Sequence, residues 1–203
     1  MITNKIKLLI LLGTFNTIGS IKSQNIGLEF QAGPQFTILN YNQQSLDYKT
    51  SSNNDLRIGV VFGDFGKLAG SILVSKSTLK SQFTSETITT NLEIGYTVID
   101  AQIKYFISKS IESISLGPTF LLKNYSSQTI NNLIVRNERM FSPTALAINT
   151  DISFKGWDFS TGKLNPYIFY RGTINGIETI GTNEKTNLYQ FGLGVKMSLS
   201  WDI

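Results

Sequence analysis

The last fifteen residues of the chain, 189–203, alternate in character without a break. Tyr189, Phe191, Leu193, Val195, Met197, Leu199, Trp201 and Ile203 fill the odd positions. Gln190, Gly192, Gly194, Lys196, Ser198, Ser200 and Asp202 fill the even ones. Successive side chains of a strand point to opposite faces, so this period specifies one strand with an apolar and a polar face. Strands in soluble proteins average about five or six residues. A run more than twice that length constrains the architecture more than any other feature.

The same period recurs upstream. Ile26, Leu28, Phe30, Ala32, Pro34, Phe36 and Ile38 alternate with Gly27, Glu29, Gln31, Gly33, Gln35 and Thr37. "LRIGVVFG" sets Leu56, Ile58, Val60 and Phe62 against Arg57 and Gly59, and "LAGSILVS" places Leu68, Ile72 and Val74 on one row. "NLEIGYTV" sets Leu92, Ile94, Tyr96 and Val98 against Glu93, Gly95 and Thr97. "ESISLGPTFLL", "LAINTDISFK" and "YIFYRGTIN" continue the pattern, giving eight strands with the last one, and helical spacing is nearly absent. After Val98 the apolar row moves to Ile99, Ala101, Ile103, Tyr105 and Ile107. That shift predicts a β-bulge near Ile99 or Asp100, the alternative being a break between two strands. "AGPQF" (32–36) and "LGPTF" (116–120) echo each other, and a proline inside a sheet predicts a bulge or bend at both.

Residues 1–23 have the layout of a cleaved signal peptide: Lys5 and Lys7, an apolar run from Leu8, then Gly19, Ser20 and Ser23. They hold three of the 18 basic residues and none of the 14 acidic ones, so the net charge falls from +4 to +1 without them. A nucleic-acid surface is therefore not expected. Residues 24–203 are read as one domain. They contain no cysteine and no run of 18 apolar residues, so any membrane span must be made of strands.

Connections separate the two ends of those strands. Segments 63–66, 108–110 and 160–163 are short; segments 40–55, 75–91, 123–140 and 176–187 are long and polar, the second continuing two strands as a hairpin. Short and long alternate, as in membrane barrels with short periplasmic turns and long extracellular loops. An even strand number brings both termini to the short-turn side. The fold read from this pattern is all-β: an eight-stranded antiparallel up-and-down transmembrane β-barrel, closed by its first and last strands. A lipocalin-like soluble barrel would bury the apolar rows instead. Glycine and mid-strand charges on the polar row, aromatics towards the row ends, and strand length favour apolar rows facing lipid.

The polar row then supplies the candidate interior: Glu29, Arg57, Glu93, Lys104, Asp151, Arg171 and Lys196, read as a paired structural network filling a narrow lumen. The chain has no histidine and no cysteine, which excludes histidine triads, cysteine nucleophiles and the usual zinc sites. No cofactor and no catalytic activity are expected.

"NLEIGYTVIDAQIKYFIS", "ISLGPTFLL", "PYIFYRGTINGI" and "YQFGLGVKMSL" resemble, in order, strands of the outer membrane β-barrel domain family common in Bacteroidota, which includes PorT-like proteins. Leu92, Glu93, Ile94, Lys104 and Tyr105 carry the first element, Gly117 and Pro118 the second, and Arg171, Gly172 and Ile177 the third. Gly95 stands where the family often has proline, and Tyr170 precedes the arginine. The resemblance implies the same outer membrane barrel architecture, and the barrel is expected to be a monomer in the outer membrane of a Gram-negative bacterium, with membrane lipid as its surroundings. Two roles fit: surface recognition through the extracellular loops, or an accessory of an envelope secretion or transport complex.

Overall fold

A computed structural model describes residues 25–41, 51–64, 67–85, 88–107, 109–131, 133–135, 141–174, 176–178 and 185–202. The segment read as a signal peptide lies outside the described residues. Eleven strands follow in order: β1 (Asn25–Tyr41), β2 (Ser51–Asp64), β3 (Leu68–Ser85), β4 (Ile88–Phe106), β5 (Ile111–Ile130), β6 (Leu133–Val135), β7 (Thr144–Phe154), β8 (Trp157–Phe159), β9 (Gly162–Thr173), β10 (Ile177–Glu178) and β11 (Lys185–Asp202). Eight of them, β1, β2, β3, β4, β5, β7, β9 and β11, form a closed antiparallel ring in which each pairs with the next and β11 returns to β1. The three short strands extend the hairpins: β6 folds back on β5, β8 continues β7 against β9, and β10 pairs β11.

Register fixes the barrel's dimensions. Cross-strand partners lead from Ile26 through Phe62, Gly70, Ile103, Leu116, Thr150, Tyr170 and Phe191 back to β1 at Phe36, ten residues farther along. With a rise of roughly 3.3 Å per residue and strands roughly 4.8 Å apart, that stagger tilts the strands by about 40° and gives a radius of about 8 Å. All nine residues on this path lie on the outer face.

Along most of the wall, outside is apolar and inside is polar. Leu56, Ile58, Ile103, Tyr105, Leu116, Ile168, Tyr170, Phe191 and Leu193 are exposed, whereas Glu29, Gln31, Arg57, Asn149, Asp151, Arg171 and Lys196 are buried. The directions required of a lipocalin-like barrel are reversed. Tyr105, Trp157 and Phe159 stand outward near the short-turn rim. Higher up, Phe36 stacks on Phe191 and Tyr170 on Tyr189, at centroid distances of 5.5 and 6.4 Å. The two groups bracket the apolar band. The long connections are partly strand: β3 and β4 pair as far as Ser85 and Ile88, β5 runs to Ile130, and β2 begins at Ser51.

The outward placement of Leu92, Ile94, Tyr96 and Val98, and a bulge at Ile99 or Asp100, need correction. Leu92, Ile94, Tyr96, Val98, Asp100, Gln102 and Lys104 form one unbroken inward row. The register shift lies opposite Gly95 and Tyr96, which pair with Tyr125 and Lys123, so the extra residue is Asn124 of β5. Beyond the apolar band, β4 has water outside and packed side chains inside. Its apolar residues therefore turn inward without any change of phase, joining Leu79, Leu121, Phe141, Ala147, Ile177 and Leu188 in an apolar cluster inside the upper barrel.

Neither Gly-Pro site holds a bulge. The β1–β11 ladder resumes in the same register on either side of Gly33 and Pro34, and the β4–β5 ladder does so around Gly117 and Pro118. Both are sites of close backbone approach. A Cβ on Gly33 would lie 2.0 Å from the Leu193 carbonyl oxygen, and one on Gly117 1.9 Å from that of Ala101. Gly117→Val is accordingly expected to destabilise the barrel by about 2–3 kcal/mol, read as a lower urea midpoint; an unchanged midpoint would show that the strands part freely there.

Candidate functional site

The interior is built from two stacked charge clusters. Alternation puts Glu29 and Gln31 of β1, Lys104 of β4, Asp151 of β7 and Lys196 of β11 on the inner face towards the short-turn rim. Lys104 donates to Glu29 Oε2, and Gln31 Nε2 donates to Glu29 Oε1 at 2.7 Å. Lys196 Nζ donates to Asp151 Oδ1 at 2.8 Å and lies 4.0 Å from Glu29 Oε1. Four residues from four strands thus form one chain of alternating charge.

The second cluster lies farther up the lumen and centres on Asp100. Arg171 Nη2 donates to Asp100 Oδ2 at 2.8 Å, Arg57 Nη1 is 3.5 Å from the same oxygen, and Thr119 Oγ1 donates to Oδ1. Arg57 Nε donates to Asp55. Arg171 Nη1 donates to Gln190 Oε1 at 2.8 Å, and Gln190 and Gln35 both donate to Ser77 Oγ, at 3.1 and 2.9 Å. The Phe169 ring lies under Arg57, with Cζ 3.9 Å from its centroid, and Arg171 approaches the same ring at 5.8 Å.

Six of the seven residues singled out from sequence are brought together here: Glu29, Arg57, Lys104, Asp151, Arg171 and Lys196. Glu93 is not, and its assignment to the interior is corrected. It sits on the outer face of β4, accepts from Tyr125 Oη at 2.7 Å and lies 3.6 Å from Lys80 Nζ. With both partners well exposed, that ion pair contributes at most about 1 kcal/mol. Sequence reading missed Asp55 and Asp100. Asp55 falls in a segment read as loop, though its i, i+2 spacing to Arg57 places both on one face; Asp100 was masked by the supposed bulge.

Among the described residues the buried charges balance, with Glu29, Asp55, Asp100 and Asp151 against Arg57, Lys104, Arg171 and Lys196. Each carboxylate touches a cation. Below them, a recess of about 60 Å³ opens towards the short-turn rim, lined by Glu29, Lys104, Lys196, Asn165 and the Lys163–Glu112 pair. A bound water needs roughly 10–15 Å³ on that measure, so the recess suits a few waters rather than a solute. Above the charges, the apolar cluster packs inside the upper barrel.

No family model matches the chain, and no curated relative matches it. Solved structures do. Neisserial surface protein A matches with a TM-score of 0.50 and 12% identity, over 86% of this chain and 97% of that one. OprG from Pseudomonas aeruginosa matches at 0.48 and 10%, over 90% and 99%, and Ail of Yersinia pestis at 0.44 and 12%, over 86% and 99%. These are eight-stranded outer membrane barrels. At such identities the likeness is one of fold.

Breaking the upper cluster tests its weight. Arg171→Met removes one of the two cations on Asp100 and is expected to lose about 3–5 kcal/mol of unfolding free energy, read as a lowered urea midpoint and a heat-labile folded band on a gel. Unchanged heat resistance would mean that the charges are incidental filling.

Proposed function

We propose that this protein is a non-enzymatic, monomeric outer membrane barrel, exported by residues 1–23, that presents its long hairpins outside the cell for recognition. The observation that carries the reading is an apolar outer band around an interior that, among the described residues, is charge-balanced and filled with buried side chains. A 25 Å apolar band needs about ten residues on strands tilted by about 40°. All eight ring strands exceed that length, and β3, β4, β5 and β11 exceed it most, so their far ends stand clear of the lipid. An interior filled by its own side chains disfavours a solute route, which turns the reading to the projecting hairpins.

The outer membrane setting is supported by the fold shared with outer membrane proteins and by the outward apolar rows. Placement in the PorT-like branch is supported by the order of the strand motifs alone. A role beside a secretion complex would use the same outer hairpins or the wall, because the opposite rim carries turns as short as 160–161 between β8 and β9.

Two measurements test the reading. The chain has no native cysteine, so single-cysteine variants label cleanly. Gln82→Cys should react with a membrane-impermeant maleimide on intact cells, and Thr161→Cys only after the outer membrane is permeabilised; the reverse pattern would overturn the orientation. Purified barrel in planar bilayers should show no steady conductance steps, and ohmic steps would contradict the closed lumen.

A further inference from the structure

The wall is continuous up to the pair Arg57 and Ser75, where the β2–β3 ladder ends. Above that point β3 continues for ten residues, paired with β4 on one side only. Among the described residues, nothing makes a strand ladder with its other side from Lys76 to Ser85. One tie crosses the gap at its base, where Asn53 Nδ2 donates to the Thr78 carbonyl.

That tie reveals which backbone groups face the gap. In an antiparallel strand the N–H and C=O of one residue point to the same side, and the side alternates. Since the Thr78 carbonyl faces β2, so do the backbone groups of Lys80, Gln82 and Thr84, while those of Leu79 and Ser81 face β4. Beyond the Asn53 tie the edge runs from Leu79 to Ser85, about as long as an ordinary strand, and it lies above the apolar band.

We propose that this edge of β3 is a docking site for an extended, acidic segment of another protein, which adds to the sheet as a further strand. The inference rests on the proposed outward orientation of the hairpins. Charge complementarity selects the occupant. The outer row nearest the edge reads Lys76, Thr78, Lys80 and Gln82, with both lysines exposed; Glu93 lies behind Lys80 on β4. A strand laid along the edge brings its own outer row against these lysines, where carboxylates are favoured. Its inner row meets Ser77 and Leu79, which favours small or apolar residues. A second copy of the same edge would bring lysine rows together, and like charges across a strand pair disfavour it.

The probe is a synthetic ten-residue peptide alternating glutamate with valine, labelled with fluorescein, against the full barrel in lipid nanodiscs. A lysine–valine peptide is the control. The glutamate peptide should bind at least tenfold more tightly. Gln82→Pro deletes an edge N–H without touching a β3–β4 bond, and should weaken binding at least tenfold while the folded barrel remains heat-resistant. Lys76→Glu with Lys80→Glu should invert the preference between the peptides.

Hydrogen exchange supplies a second measurement. In the free protein the amides of Lys80, Gln82 and Thr84 should exchange fast and those of Leu79 and Ser81 slowly, and peptide should protect the fast set. Protection of the even set without peptide, by residues 42–50 or a second copy, would overturn the proposal. So would equal binding of both peptides, or undiminished binding to Gln82→Pro. These outcomes do not depend on cell-surface labelling: a labelling failure sinks the orientation, and a peptide failure alone sinks the edge.

Discussion

Pairing of the first strand with the last is the constraint from which the rest follows. β1 and β11 share fifteen register pairs, from Asn25 with Asp202 to Tyr41 with Thr186. An open edge in lipid would leave a row of N–H and C=O groups without partners, at several kcal/mol each. Closing eight strands with a stagger of ten residues leaves a lumen only about 8 Å in radius to the wall. A lumen that narrow is filled by its own side chains. The inward residues must therefore be small where strands approach closely, as at Gly33 and Gly117, and set beside an opposite charge where they are charged.

The charged filling has a second consequence. A ring held only by alternation tolerates a slip of two residues, because every side chain keeps its face. Glu29 with Lys104, Asp100 with Arg171 and Asp151 with Lys196 join strands that are not neighbours in the ring, so they report on register across the lumen. A two-residue slip of β4 would move Asp100 by about 6.6 Å relative to Arg171 and leave both charges buried without a partner. Buried ion pairs often add little net stability over apolar packing, yet breaking one is expensive. That asymmetry favours the observed stagger over its neighbours two residues away.

Most of this was legible in the residues. Period two located the strands, the alternation of short and long connections separated two rims, and mid-strand charges marked the inner face. What misled was the assumption that the apolar row keeps one direction along a strand. Inside the band the outer solvent is lipid and the apolar row faces out; above it the outer solvent is water and the preference reverses. β4 crosses that boundary near Asp100. A change of solvent and a one-residue bulge leave the same trace in sequence, with the apolar row switching parity, and only three dimensions separate them. Glu93 was placed inside for the same reason. Asn124, the true extra residue, sits among polar neighbours where no alternation exists to be broken.

The reversal also changes what the upper hairpins are. Leu79, Leu92, Ile94, Tyr96, Leu121, Phe141, Ile177 and Leu188 give them a small packed core of the soluble kind, seated on the lipid-embedded ring. Hairpins ordered this way have already lost the conformational freedom that a floppy loop would surrender on binding, roughly 1–2 kcal/mol for each residue fixed. The proposed recognition by such a rim would depend on strand edges and fixed side-chain rows rather than on adaptable loops. The proposed surface recognition is therefore a question of sheet geometry: which edges remain unpaired above the lipid, and what charge stands beside them.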